Sequence, residues 1–152
     1  MAVSCNITRA WSSGQTLKMA NDEKRPTPIR SDGTAEFFDA AKHGEFMLQH
    51  CESCDQFSFT GYKYCPSCYA TTEWRRSDGS ATVKSFAIVT ASSLGGFKKL
   101  LPYAVAAAVL DDGPTLSLRY DGEVGEISIG QKVRIAFDGS DADEATPVWI
   151  AS

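Results

Sequence analysis

Histidine is scarce in this sequence: among 152 residues there are two, His43 and His50. There is no nucleophile-elbow motif and no glycine-rich turn opening a helix that could cradle phosphates. Long apolar runs are missing too. The longest, YAVAAAVL at residues 103–110, is too short to cross a bilayer and reads as a buried strand. The opening MAVSCNITRAWSSGQTLKMA contains no apolar stretch of signal-peptide length, so a cytoplasmic, reducing location is expected. No internal repeat or low-complexity tract is visible. Positive charge is in short supply, with 15 Lys and Arg against 19 Asp and Glu. Only residues 1–30 are basic on balance, with five basic and two acidic groups.

Cysteine is present and concentrated. Four of the five cysteines fall in CESCDQFSFTGYKYCPSC, residues 51–68. Each Cys-x-x-Cys pair in a tight turn can aim two sulfurs at one point, and Pro66 pre-shapes the second turn. Cys51, Cys54, Cys65 and Cys68 together offer a tetrahedron of soft thiolates, which suits one structural zinc ion. Two disulfides are the rival reading, disfavoured in a reducing compartment. Iron of rubredoxin type could use the same ligands. Four thiolates leave no open coordination position, so the metal is expected to be a clasp and not a catalyst. His50, beside Cys51, reads as a strand residue.

Three parts are expected along the chain. Residues 1–30 contain NDEKRPTPIR and lack hydrophobic periodicity, so they read as an extended or disordered arm; Trp11, Leu17, Met19 and the free Cys5 are its exceptions. Residues 31–78 read as a helix plus zinc ribbon. Asp32 or Thr34 can cap the helix, Phe37, Phe38 and Ala41 form its apolar side, and Gly44 can end it. The segment 45–50 leads as a strand into the first knuckle. Phe57, Phe59, Tyr62 and Tyr64 alternate as a hairpin would, packing around the ribbon.

Residues 79–152 are β in texture. GSATVKSFAIVTAS is a long strand expected to bend across two sheets, with Val83, Ser85, Ala87 and Val89 on one face and Thr82, Lys84, Phe86 and Ile88 on the other. YAVAAAVL, TLSLRY, KVRIAF and PVWIA follow, with a turn at Asp111-Asp112-Gly113-Pro114. The fold class expected is mainly β: an N-terminal helix, a rubredoxin-like zinc ribbon, then a five-stranded OB-type Greek-key barrel.

These landmarks carry a resemblance. The order is a helix ending at Gly44, the four-cysteine ribbon, and Gly79-Ser80-Ala81-Thr82-Val83 opening a barrel. Pro102-Tyr103-Ala104-Val105, Asp111-Asp112-Gly113-Pro114 and Ile129-Gly130-Gln131-Lys132-Val133 follow. From about residue 25 to 150 the chain resembles the acyl-CoA-associated family of zinc-ribbon/OB-fold proteins, formerly a domain of unknown function. It departs at Asp55, where the family usually has glycine, and at Phe59-Thr60-Gly61, where prolines are usual. The resemblance implies a zinc-binding accessory or bridging subunit that assembles with a thiolase-like or ketosynthase-like acyltransferase, or with a hot-dog-fold acyl-CoA hydratase. The catalytic residues would then sit on the partner. Claisen chemistry needs an activated cysteine and histidine bases, and here every cysteine but Cys5 is committed to metal. The chain alone is therefore expected not to be an enzyme, with no catalytic residues of its own.

A loop completes the candidate site. SSLGGFKKLLPY, residues 92–103, joins the first two barrel strands, where OB folds place ligand-contacting loops. Gly95 and Gly96 should let it bend, and no helical pattern competes for them. Phe97 and Leu100 offer apolar contact to a partner, while Lys98 and Lys99 could meet the phosphates of a CoA thioester. The rival from another class is a single-stranded nucleic-acid-binding OB/zinc-ribbon protein. It needs a basic groove, whereas residues 79–152 carry six basic and nine acidic groups.

Overall fold

The computed structural model describes residues 25–139 and 145–152. Residues 1–24, with Cys5, Trp11, Leu17 and Met19, lie outside the described residues, as does most of the expected arm. Its remainder, residues 25–30, has no regular secondary structure but is tied at both ends. Arg25, 8% exposed, donates to Asp138 at 2.8 Å, and Arg30 donates to Asp39 at 2.6 Å. The Arg30 hydrogen bond holds the Asp39 carboxyl below its ordinary range. Asp138 also accepts from Arg119 at 2.7 Å, so one carboxylate joins the lead-in to the body of the fold.

Helix α1 (Ala35–Ala41) starts at Thr34 and buries Phe37, Phe38 and Ala41, the residues its apolar spacing selects. Thr34 does not cap through its side chain; its Oγ1 accepts instead from the Ser31 backbone N–H at 3.0 Å. Gly44, at φ 75°, turns the chain out of the helix.

A three-stranded antiparallel sheet follows, in the order β2-β1-β3: β1 (Phe46–Cys51), β2 (Gln56–Ser58) and β3 (Glu73–Ser77). The central β1 is buried at five of its six positions. Strand β3, EWRRS, carries three charges in five residues and gave no strand signal. It is an edge strand, where charged side chains block further pairing. The hairpin expected from Phe57, Phe59, Tyr62 and Tyr64 does not form. Strand β2 ends at Ser58, and Gly61, at φ 72°, turns the chain away. Phe59 packs its ring 5.1 Å from Phe37 and 5.9 Å from Phe46, while Tyr62 and Tyr64 are left exposed.

Gly79 hinges ribbon to barrel. Its φ is 72°, and a Cβ there would lie 3.0 Å from Ile135 Cβ, so both backbone and space require glycine. The barrel comprises β4 (Ser80–Val89), β5 (Tyr103–Leu110), β6 (Thr115–Tyr120), β7 (Lys132–Asp138) and β8 (Thr146–Ala151), closed in the order β4-β5-β6-β8-β7. All neighbours are antiparallel except β6 and β8, which meet in parallel at Tyr120 and Trp149. This is the expected five-stranded OB-like barrel.

One expectation for β4 fails. Val83 pairs with Ala108 but Ser85 pairs with Ala107, so Lys84 is the extra residue of a β-bulge. The bulge inverts the phase. Ala81 and Val83 point inward; beyond it Phe86 packs against the core while Ala87, expected on the face of Val83, is exposed. Ser85 is likewise turned outward.

The barrel interior is filled by complementary sizes. Ala104, Ala106 and Ala108 are fully buried on alternate positions of β5, and Trp149, 0% exposed, occupies the space they leave. Its indole N–H donates to the Ala106 carbonyl at 3.1 Å. The buried cluster is continuous from Phe37, Phe46 and Leu48 in the helix and ribbon to Val83, Val133 and Trp149 in the barrel. At the β5–β6 turn a Cβ on Gly113 would lie 3.1 Å from Leu48 Cδ1 and 3.3 Å from Phe57 Cβ, so ribbon and barrel touch there closely.

Candidate metal centre and adjoining loops

The two knuckles bring the four expected cysteines together. Cys51 ends β1, Cys54 follows in the turn to β2, and Cys65 and Cys68 lie in the loop before β3. Their sulfurs all lie within 4.8 Å of one another. Cys51 and Cys68 are 3.4 Å apart, and Cys54 stands 3.6 Å from both Cys65 and Cys68. A covalent S–S bond is about 2.05 Å long, so these are not disulfide distances. Four sulfurs bonded at about 2.3 Å to one tetrahedral ion would be roughly 3.8 Å apart. The observed spacing and the all-thiol donor set fit a structural zinc ion.

The surroundings act on the ligands in opposite directions. Backbone N–H groups of Cys68 and Ser67 aim at the Cys65 sulfur and pull that thiol down to about 6. Burial pushes Cys54 the other way, up to about 12. His50 stays out of the cluster. It is buried in β1, its Nε2 lies 2.8 Å from Asp55 Oδ1, and its ring centroid is 4.6 Å from that of Phe57.

Two residues shape the knuckles: Asp55, which stands where the family usually has glycine, and Tyr69, which sequence reasoning passed over. The position after each second cysteine is left-handed: Asp55 has φ 53° and Tyr69 has φ 61°. Asp55 tolerates this, since aspartate visits that region readily and its carboxylate meets His50. Tyr69 is bulky, and there the conformation costs about 1–2 kcal/mol. The paired knuckles themselves were the signal that these two positions are equivalent.

Gln49 is the second omission. It is 3% exposed, and its Oε1 accepts from Gly61 N at 3.0 Å, Thr60 Oγ1 at 3.0 Å and Thr60 N at 3.3 Å. Its Nε2 donates to the Tyr62 carbonyl. One amide side chain on the central strand thus pins the loop between the knuckles. That loop in turn meets the lead-in turn, since a Cβ on Gly33 would fall 2.3 Å from the Gly61 carbonyl oxygen.

The loop between β4 and β5 differs from expectation in one respect. Gly95 and Gly96 do not mark a bend; they open a single helical turn, α2 (Gly95–Lys98), and Gly96 is buried within it. Phe97 is half-buried with its ring 6.1 Å from Tyr103, Leu100 is half-buried, and Lys98 and Lys99 are exposed. Leu94 and Ile88 are about half exposed at the same end of β4. Among the described residues no helix is long and apolar enough to cross a membrane.

A closed four-cysteine cluster in a ribbon, joined through one core to a five-stranded barrel, defines a zinc-ribbon/OB-fold protein. Comparison with known proteins gives the family. Residues 38–74 match the rubredoxin-like zinc ribbon domain of ChsH2, and residues 74–138 match the ChsH2 C-terminal OB-fold domain. The chain belongs to this ChsH2-type family of zinc-ribbon/OB-fold proteins, the one its sequence resembles. A solved structure titled Ltp2-ChsH2(DUF35) aldolase contains a similar chain, 25% identical, with a TM-score of 0.70 over 82% of this chain and 98% of that one. A DUF35-family protein of unknown function from Sulfolobus solfataricus shares the fold at 18% identity and a TM-score of 0.58, covering 80% of this chain and 87% of that one. A Thermomonospora curvata protein named "Probable enoyl-CoA hydratase alpha subunit" is 25% identical over 126 residues. That match covers 82% of this chain but 39% of the relative, so the chain spans about two fifths of that protein's length.

Proposed function

We propose that this chain is a non-catalytic accessory subunit, cytoplasmic, that assembles with an acyl-CoA-processing enzyme of thiolase-like or aldolase type and helps guide its thioester substrate. The observation that carries this reading is the match over 98% of the ChsH2 chain in a structure named as a two-component aldolase. Cys51, Cys54, Cys65 and Cys68 hold the zinc, whose closed shell clasps the ribbon without touching substrate. The loop carrying Phe97, Lys98, Lys99 and Leu100 borders the partner's substrate entrance, with the lysines toward CoA phosphates and the apolar pair toward the partner. A hydratase partner is the second reading, favoured by the name of the Thermomonospora curvata relative.

The test is affinity purification of the tagged chain from its native host, followed by turnover assays. An acyl-CoA enzyme should copurify, and activity should appear only when the two are mixed. Robust aldolase, acyltransferase or hydratase turnover by the purified chain alone, lost on changing Cys5 or His43, would overturn the reading. Replacing Lys98 and Lys99 together with alanine should raise the complex's KM for acyl-CoA, less so at high salt where such contacts are screened.

A further inference from the structure

The four ligands of the metal centre differ in how far solvent reaches them. Cys51 is fully buried at the end of the central strand and Cys65 is 2% exposed, whereas Cys54 is half-buried in its turn and Cys68 is exposed. Cys65 is also shielded by the Ser67 backbone N–H, which donates to its sulfur at 3.4 Å. The more accessible pair therefore spans the two knuckles: the sulfurs of Cys54 and Cys68 lie 3.6 Å apart. Cys68 has a second distinction. Tyr69, next in the chain, holds a left-handed backbone that suits a bulky residue badly, so loosening the knuckle at Cys68 relieves strain. An exposed thiolate that meets an oxidant passes to sulfenic acid, and then to disulfide where a second thiolate stands near.

We infer that the ribbon is a peroxide-sensitive clasp, in which Cys68 is oxidised first and Cys54 resolves it, opening the metal site. The Cys68 thiolate takes one oxygen from hydrogen peroxide as the O–O bond breaks; sulfenic acid forms at Cys68 and hydroxide leaves. The Cys54 thiolate then attacks the Cys68 sulfur, the S–O bond breaks, and a second hydroxide leaves. Two thiolates have given up two electrons, and one peroxide molecule has been reduced. Cys51 stands slightly nearer, its sulfur 3.4 Å from that of Cys68. A disulfide bond is about 2.05 Å long, however, so one partner must move. Cys51 is held in a strand paired on both sides, while Cys54 lies in a turn. Loss of two thiolates breaks the tetrahedral donor set, and the ion is free to leave. The new bond joins the same two knuckles that the metal joined, so reduction and fresh zinc should restore the clasp.

The test uses the full zinc-loaded chain with Cys5→Ser, which removes the one cysteine outside the cluster. Hydrogen peroxide is added, free zinc is followed with a colorimetric chelator, and acid-quenched, alkylated samples are mapped by peptide mass spectrometry. The expected result is zinc lost in step with a Cys54–Cys68 disulfide, and reloading once thiol reductant and zinc are supplied. A first disulfide joining any other pair overturns the inference. So does zinc that stays bound under excess peroxide, or that leaves with sulfinic acid formed and no disulfide. Cys68→His keeps a donor set of three cysteines and one histidine and should slow zinc release at least about tenfold. Release at the parent's rate overturns the inference. If that variant does not hold zinc, the disulfide map of the parent decides by itself.

Discussion

Gln49 tests whether the ribbon's shape depends on a single buried amide. Leucine at this position has similar volume and no polar atom. Gln49→Leu removes five hydrogen bonds: Gly61 N, Thr60 N and Thr60 Oγ1 to Oε1, and Nε2 to the Tyr62 carbonyl and, at 3.5 Å, to Thr72 Oγ1. Each is worth about 0.5–1.5 kcal/mol net. Thr60 is exposed and Gly61 half-buried, so their freed groups can turn partly to water and the total should sit near the low end of the summed range, at about 3 kcal/mol. With a urea slope of about 1–3 kcal/mol per molar, the unfolding midpoint should fall by roughly 1–3 M. Both proteins must be unfolded at the same free zinc concentration, because bound metal adds to apparent stability. Thr60→Val is the control: it loses the two bonds of an exposed hydroxyl, to Gln49 Oε1 and from Tyr62 N, and about 1 kcal/mol. A midpoint for Gln49→Leu within about 0.3 M of the parent at equal slope would show that the network is decoration and not a support.

Trp149→Ala should cost about 3–5 kcal/mol, because the row of alanines around the indole cannot collapse into the space; Trp149→Phe should cost less, and thermal melts followed by near-UV circular dichroism would rank them. Cys65→Ser should take zinc from about one per chain to near none by elemental analysis, with loss of the ribbon's ordered amide signals. Loading zinc at pH 7 should release fewer than four protons, read from the buffer dependence of binding heat. Cys65, pulled down to about 6, is already mostly ionised, whereas Cys54, pushed up to about 12, gives up a full proton. For the metal-free chain the sign follows from the lowered value of Cys65: the stabilisation its thiolate supplies is complete above the ordinary thiol range, near 9, and disappears as pH falls through about 6.

Features that depend on local spacing were legible in the sequence. Each Cys-x-x-Cys pair, held in a tight turn, can aim its two sulfurs at one point, and this local spacing marked the four ligands before the fold brought the two pairs together. Phe37, Phe38 and Ala41 recur at helical spacing, and Val133, Ile135 and Phe137 at strand spacing, so their buried faces followed from periodicity. What the fold decided depends on neighbours far along the chain. The bulge at Lys84 arises in pairing with β5 and reverses which residues of β4 face inward, a change alternation cannot register. Strand β3 forms because β1 offers it an edge, although its own charges suggest a solvated loop. Gln49 reads as one polar residue in a strand until the chain returns eleven and twelve residues later and presents its backbone to it. Tyr69 looks like any loop tyrosine until closure of the knuckle forces its backbone left-handed. Periodicity reports one element's own geometry, whereas bulges, edge pairing and buried polar satisfaction are properties of two segments meeting.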